Sequence, residues 1–280
     1  MVINKRSRFS DSQHVFACPI CHEALSYGET FLKCEEGHVF DLAKFGYVNL
    51  APQAKSSDNY DKTSFKNRQK ILENGYYRHI YEAIKEVVHR ESLTQLLDVA
   101  CGEGYYSRCL SDDLGLNLFA FDLSKESILL ASKADKTYAV KWFVGDLTQL
   151  PIQDKVMDGI LDIFSPAHYK EFNRVLKDDG LVIKLVPGPN HLKELRRLAQ
   201  NQLQKADYDQ HRVVNHFAKF YPRFQEQLVS QTYPISPEDL RAFVEMTPLF
   251  FHVDSNLLNL DSITEVTVEA VLLIGYKENR

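Results

Sequence analysis

The 280-residue sequence predicts an α/β fold, a mostly parallel sheet with helices on both faces, preceded by a small N-terminal domain. Three observations predict it. From Leu96 onward apolar, β-rich runs alternate with helix-length segments, the pattern of strand–helix–strand units. The first of these, Leu96-Leu97-Asp98-Val99-Ala100-Cys101-Gly102-Glu103-Gly104, runs from a buried strand through Gly-x-Gly into a helix, where a ligand can approach bare backbone. Near the N-terminus three of the five cysteines are grouped with a histidine, as Cys18-x2-Cys21 and Cys34-x3-His38.

Composition narrows the class. A hydrophobic fraction of 44% is enough for a substantial core. Met1 to Gln13 is polar and no apolar run approaches the length of a membrane span, so the expectation is a cytoplasmic protein without membrane contact. The isolated Cys101 and Cys109 do not make a disulfide framework. A net charge of −5 excludes non-specific coating of nucleic acid, so such a partner would be held by local basic patches. Three are candidates: Lys5/Arg6/Arg8, then Lys62/Lys66/Arg68/Lys70, and Arg196/Arg197 with Arg212, Lys219 and Arg223. Each reads equally well as a solvated face.

Taken in order, residues 1–50 form the zinc-binding domain, 51–76 a linker or flap, and 77–280 the main domain. Pro19 and Gly37 lie inside the two ligand turns, and a hairpin-like stretch from Tyr27 to Leu32 joins them. Cys18, Cys21, Cys34 and His38 would then surround one structural Zn2+ tetrahedrally, with no position open to water. A redox Cys-x-x-Cys would want a thioredoxin-like βαβ context, which is absent. Residues 51–61 lack hydrophobic periodicity, as a linker does. A polar helix from Lys62 to Asn74 stops at Gly75, and Tyr77, Ile80, Tyr81, Ile84 and Val88 repeat at helical spacing after it. Most of that stripe is core, but Tyr77, at the start of the second helix, can face a cofactor pocket.

Strands are expected near 95–99, 117–122, 139–144, 157–163 and 181–186, and helices over most of 105–112, 124–134, 167–177 and 190–204. A β-branched run from Thr264 to Tyr276 gives a last strand. Between 205 and 260 the pattern allows two more strands or a helical insertion, with a helix near Pro237 to Glu245.

The chemistry-bearing residues stand at strand ends. A dinucleotide fingerprint would need glycine where Ser107 stands. With Asp98, Gly102 and Gly104 in place, the stretch instead resembles motif I of class I S-adenosylmethionine-dependent methyltransferases, which usually have glycine at the position of Ala100. Asp122, twenty residues beyond Gly102, can accept from both hydroxyls of a ribose. Gly145-Asp146-Leu147 resembles the adenine-binding segment of the same class, in which the acid accepts from the adenine amino group and the next backbone N–H faces the ring. The resemblance implies a Rossmann-like, seven-stranded, mostly parallel sheet and S-adenosyl-L-methionine as cofactor.

With the Cys3His module, Phe45-Gly46-Tyr47-Val48-Asn49-Leu50, Asn74-Gly75-Tyr76-Tyr77 and Pro187-Gly188-Pro189-Asn190-His191-Leu192, the sequence resembles the RlmA family of bacterial 23S rRNA guanine-N1 methyltransferases from Cys18 to about Leu195. That likeness implies zinc on Cys18, Cys21, Cys34 and His38, and S-adenosylmethionine contacts from Tyr77, Gly102, Glu103 and His191. It also implies a guanine in a 23S rRNA hairpin as target and a homodimer whose zinc modules flank a cleft. In one branch the methylation contributes to resistance against tylosin-type macrolides.

Guanine N1 carries a proton that must leave, and it lies on the Watson–Crick edge, so the base must be unpaired or flipped. The run Asp158-Gly159-Ile160-Leu161-Asp162-Ile163-Phe164 is expected to point Asp162 at the methyl as proton acceptor and Phe164 as a stacking surface, although Asp158 and Asp162 also read as a solvated loop and a cap. Two other functions fit parts of the pattern. A small-molecule methyltransferase would share the core motifs but has no use for the zinc module. A non-enzymatic zinc-ribbon RNA-binding protein would not need acids at Asp98, Asp122 and Asp146.

Overall fold

The structure is a computed structural model that describes residues 5–53, 62–203, 210–254 and 258–278. After a 3-10 turn at Lys5–Phe9, strands β1 (Ser26–Gly28), β2 (Phe31–Lys33) and β3 (Val39–Asp41) make a small antiparallel sheet. The chain then runs through β4 (Tyr47–Asn49), α1 (Lys62–Glu73), α2 (Arg78–Arg90), β5 (Gln95–Val99), α3 (Tyr105–Leu114), β6 (Asn117–Asp122), α4 (Lys125–Ala134) and β7 (Lys141–Val144). It continues with β8 (Met157–Ile163), α5 (Tyr169–Val175), β9 (Leu176–Pro187), α6 (Lys193–Leu198), α7 (Gln210–Phe220), β10 (Phe224–Pro234), α8 (Pro237–Met246) and β11 (Glu265–Tyr276).

The large sheet has eight strands in the order β10-β11-β9-β8-β5-β6-β7-β4. Pairings from β4 to β9 are parallel, and the β9–β11 and β11–β10 pairs are antiparallel. From β5 the chain winds outward to β6 and β7, then returns to the other side of β5 with β8. Strand order therefore reverses at β5, and the crevice beyond its carboxyl end is where such sheets bind ligands. The central strands are buried on both faces, which is why they read as unbroken apolar runs instead of alternating ones.

Several expectations are corrected in detail. Seven strands become eight because Tyr47, Val48 and Asn49 pair in parallel with Trp142, Phe143 and Val144 of β7. Within 205–260 the described residues, 210–254 and 258–260, hold α7, β10 and α8 with a 3-10 turn at Pro248–Phe250, where two strands or a helical insertion were expected. The helix expected over 190–204 shrinks to six residues: the preceding segment remains a loop, and Leu192, its N-cap, has φ 53°. The strand expected over 181–186 begins earlier, at Leu176, with a register shift opposite Met157 and Gly159. Of the expected linker, 54–61 lie outside the described residues. Helix α1 is docked on α8: Lys70 pairs with Glu238 at 2.7 Å and Asp239 at 3.0 Å, and Asn67 donates to Glu245 at 2.6 Å.

The ribbon and the sheet share one core. Phe16 is fully buried, with edge contacts to Phe119 at 5.4 Å and Phe143 at 5.2 Å. Its neighbours join the backbones: Ala17 N–H donates to the Pro151 carbonyl at 3.0 Å and Gln153 N–H to that of Val15 at 2.8 Å. Arg8 is buried and pairs with Asp135 at 3.0 Å, while the same carboxylate accepts from Trp142 Nε1 at 3.0 Å. Among the described residues no helix is long and apolar enough to cross a membrane.

This shared core predicts one cooperative unfolding unit. In urea, release of zinc and the fluorescence change of Trp142, the single tryptophan, should share a midpoint, and Phe16→Ala should lower both by the equivalent of about 3–5 kcal/mol. Zinc release well before the Trp142 transition would separate the two parts.

Candidate functional site

The site begins where β5 ends. Ala100, Gly102 and Gly104 have φ of 51°, 59° and 75°, a left-handed conformation that glycine adopts without strain and alanine does not. Glycine is therefore the better residue at position 100, and Ala100 is held there at a cost. At Gly104 a side chain is also excluded by space, since a Cβ would lie 2.4 Å from the Trp142 ring and 2.9 Å from Ala131. The turn aims the Gly102 N–H at Asp122, whose Oδ2 accepts it at 3.0 Å, while its Oδ1 accepts from Ser124 N–H at 2.8 Å. Burial raises the Asp122 pKa, and these backbone donors oppose the rise. Ser107, where a dinucleotide site would have glycine, donates to the buried Asp98 at 2.5 Å. Burial pushes Asp98 up to about 7, against the pull of that hydrogen bond.

Beyond β7, Asp146 accepts from Thr148 N–H at 2.8 Å and its hydroxyl at 2.7 Å, a turn that leaves Asp146 and Leu147 half-buried beside the end of β6. Asp122 and Asp146 thus stand at adjacent strand ends. Glu103 is buried; its Oε2 lies 3.6 Å from Arg68 Nε and has no hydrogen-bond partner among the described residues. The buried Tyr106 hydroxyl is likewise without one. Orphaned polar atoms beside a bare backbone turn fit a polar ligand such as an aminoacyl group.

Of these groups, Arg68 and Tyr106 line a cavity of about 870 Å³ between α1, α8 and the segment after β9. Tyr77, Phe164 and His191 form its aromatic wall, with Phe164 and His191 stacked at 5.8 Å and Tyr77 at 6.1 Å from Phe164. His191 Nδ1 accepts from Glu269 N–H at 3.2 Å. Burial lowers the imidazole to about 4, so at neutral pH it is uncharged and Nε2 carries the remaining proton as a donor. Glu269 also accepts from Asn190 N–H at 2.7 Å, and Glu194 fastens to Thr267 at 2.6 and 2.9 Å, so β11 holds the His191 segment in place. Arg68, Lys193, Arg196 and Arg197 supply four cations to the lining, and no carboxylate lines it among the described residues.

Asp162 is not at this cavity, which corrects the expectation that it faces the methyl. Strand alternation puts Leu161 and Ile163 on the cavity side and Asp162 on the other, where it is fully buried, 2.6 Å from Lys184 Nζ and 2.6 Å from the Ser165 hydroxyl. Phe164, two residues on, would share that side, but its φ of 53° turns it back into the cavity. Arg68 and Lys70 also differ from a free basic flap: Arg68 faces Glu103, and Lys70 is spent on α8. Sequence reasoning missed Arg68, Tyr106 and Glu269 as site residues. Only Tyr106 carried a local signal, its place in the first turn after Gly-x-Gly.

In the ribbon the sequence-expected ligands do converge. The ligand atoms of Cys18, Cys21, Cys34 and His38 all lie within 4.8 Å of one another. Cys21 and Cys34 sulfurs are 3.7 Å apart, and His38 Nδ1 is 3.6 Å from Cys18 and 3.3 Å from Cys34. A tetrahedral zinc would set S···S near about 3.8 Å and S···N near about 3.5 Å, so the cluster has the right size for that ion. Backbone N–H groups of Ile20 and His38 point at the Cys18 and Cys34 sulfurs at 3.4 and 3.3 Å, which favours thiolates. This is a Cys3His zinc site, closed and structural.

Comparison with known proteins adds ancestry to this geometry. Residues 16–58 match the family described as RlmA, N-terminal, and residues 97–184 match a methyltransferase domain. The chain is 32% identical to YxjB of Bacillus subtilis, named a putative 23S rRNA (guanine-N(1)-)-methyltransferase, over 94% of this chain and 97% of the relative. It is 26% identical to the 23S rRNA (guanine(748)-N(1))-methyltransferase of Streptomyces fradiae, over 92% and 95%. Among solved structures, the YcgJ protein of Bacillus subtilis aligns with a TM-score of 0.52 at 17% identity, covering 72% of this chain and 100% of that one, a likeness of fold.

Two outcomes follow for the buried acids. The folded protein keeps the Asp98 proton up to about pH 7, whereas the unfolded chain loses it near 3.9. Between these values the native state binds more protons, so this group makes stability fall as pH rises from about 4 to about 7. Urea unfolding should therefore show Asp98→Asn gaining on wild type over that range, by up to about 4 kcal/mol, and holding the gain above it; parallel curves would refute the assignment. Lys184→Met leaves the Asp162 carboxylate buried without its cation and should cost about 3–5 kcal/mol, with much of the loss recovered by adding Asp162→Asn.

Proposed function

The chain belongs to the RlmA family of 23S rRNA guanine-N1 methyltransferases, and from that premise we propose that it transfers a methyl group from S-adenosyl-L-methionine to N1 of an unpaired guanine in a 23S rRNA hairpin. The observation that carries the reading is kinship over 92% of the chain, zinc ribbon included, to the 23S rRNA (guanine(748)-N(1))-methyltransferase of Streptomyces fradiae, together with that to YxjB over 94%. A small-molecule methyltransferase has no need of the ribbon.

When bound, S-adenosylmethionine supplies an electrophilic methyl group. Asp122, fixed by two backbone donors, would accept from the ribose, and Asp146 with the Leu147 N–H would frame the adenine. Glu103, Tyr106 and Arg68 would hold the aminoacyl end, where their polar atoms converge. Phe164, His191 and Tyr77 offer flat surfaces for a flipped base. As N1 loses its proton, negative charge grows on the guanine ring, and the cations lining the cavity together with the His191 Nε2–H stabilise it. A water path to solvent would carry the N1 proton away. A homodimer whose two zinc modules flank a cleft would set both ribbons beside the RNA, with Ile20 and Val39 exposed on each.

Zinc-loaded protein incubated with labelled S-adenosylmethionine and unmodified 23S rRNA should label the RNA and stop reverse transcriptase at one hairpin guanine. Label confined to small molecules, or no label, would overturn the reading. Asp122→Ala should weaken cofactor binding by about 1.5–3 kcal/mol in calorimetry, through lost hydrogen bonds to a charged acceptor. Expression in a strain lacking the modification tests the resistance branch through its tylosin susceptibility.

A further inference from the structure

A second cavity, of about 630 Å³, opens on the opposite face of the sheet from the first. It is lined by Ser165, Pro166, Ala167 and Tyr169 on one side and by one face of α7 on the other. The segment that ends β8 is therefore a wall between two cavities, with Phe164 turned into one and Ser165–Ala167 bordering the other.

The α7 face is unusual for this protein. In a chain of net charge −5, the helix QHRVVNHFAKF carries no acid. Arg212, Asn215, His216 and Lys219 recur at helical spacing, so they share the face that lines the groove, while Phe217 on another side is buried in the core. Among the described residues Arg212 and Lys219 make no ion pair, and both are exposed. Lys184 at the floor is already committed to Asp162 at 2.6 Å. Aromatic rings lie among the cations: Phe220, 37% exposed, is 4.6 Å from Tyr169, and His216 is 5.5 Å from Tyr169 and 5.3 Å from Phe220. Cations that follow a backbone, alternating with open ring faces, are the chemistry of single-stranded nucleic acid binding.

We propose that this groove is a second RNA subsite: Arg212 and Lys219 take phosphates of the strand flanking the target guanine, and His216 with Phe220 stack one of its unpaired bases. The proposal rests on the rRNA reading above and extends it by routing the strand over the wall, target base on the Phe164 side and flanking backbone on the α7 side. A base extruded from a loop leaves its neighbours single-stranded, so such a subsite would also hold the loop open.

The test uses the full-length zinc protein, a hairpin RNA with an unpaired guanine loop, and heparin as a polyanion without bases. Arg212→Ala with Lys219→Ala should weaken hairpin binding at least tenfold at low salt and flatten the log Kd against log salt slope by about 1.4–1.8, at about 0.7–0.9 per phosphate contact. His216→Ala with Phe220→Ala should weaken hairpin binding about tenfold, leave that slope unchanged and leave heparin binding unchanged. Cofactor affinity, read by calorimetry, should stay within twofold in both variants, which shows that they are folded. Wild-type slope in the first variant overturns the proposal. So does equal loss of heparin and hairpin binding with no effect of the ring substitutions, since the face would then be a general polyanion surface. Methyl transfer by wild type into rRNA is scored separately, so failure of the groove leaves the rRNA reading standing.

Discussion

The left-handed turn between β5 and α3 is the constraint on which the site depends. Putting Ala100, Gly102 and Gly104 at positive φ lets the chain reverse from strand to helix within a few residues and leaves two of these positions without a side chain. One of them orients Asp122; the Cβ-free Gly104 lets Trp142 of β7 close against the helix start. Trp142 in turn is bonded to Asp135, the partner of Arg8. A strained loop in the middle of the sheet is thus braced from the N-terminal segment, which is how a protein can hold alanine where glycine is easier.

The same bracing joins the ribbon to the sheet. A three-stranded element with one zinc has too little apolar surface to fold by itself. Here it gains a core by inserting Phe16 against Phe119 and Phe143 and by adding β4 to the edge at β7. That addition covers an edge which would otherwise present unpaired backbone groups. Zinc therefore stabilises part of the same cooperative body that carries the methyltransferase crevice.

Much of this was legible in the sequence, for a physical reason that also marks where legibility ends. The zinc ligands, the glycine turn and the acids at strand ends are encoded by local spacing, and the β5 to β9 strands by continuous apolar runs. Long-range features are not encoded that way. Arg68 read as part of a basic flap because nothing in its neighbourhood reveals that α1 packs across the Gly102 turn. Glu269 lies 78 residues from His191, in an apolar run that gives no sign of a carboxylate holding a loop. Asp162 was misdirected by a single dihedral angle. Strand alternation gave Asp162 and Phe164 one side, and only the left-handed Phe164 separates them.

That separation has a cause in the core. Lys184 bonds both the Asp162 carboxylate at 2.6 Å and the Ser165 carbonyl at 3.0 Å, while the Ser165 hydroxyl returns to Asp162 at 2.6 Å. A buried ion pair gains little net stability over an apolar pair of the same shape, so its retention calls for another reason. Geometry supplies one: the three bonds close a ring of contacts that ties Ser165, the residue after Phe164, to β8 and β9. Charge that the sequence offered as chemistry is spent instead on holding a wall, with a cationic aromatic cavity on one side and a basic groove on the other. An acidic protein can in this way meet a polyanion through two small surfaces without becoming basic overall, because each is walled by backbone and rings and has its acids turned inward.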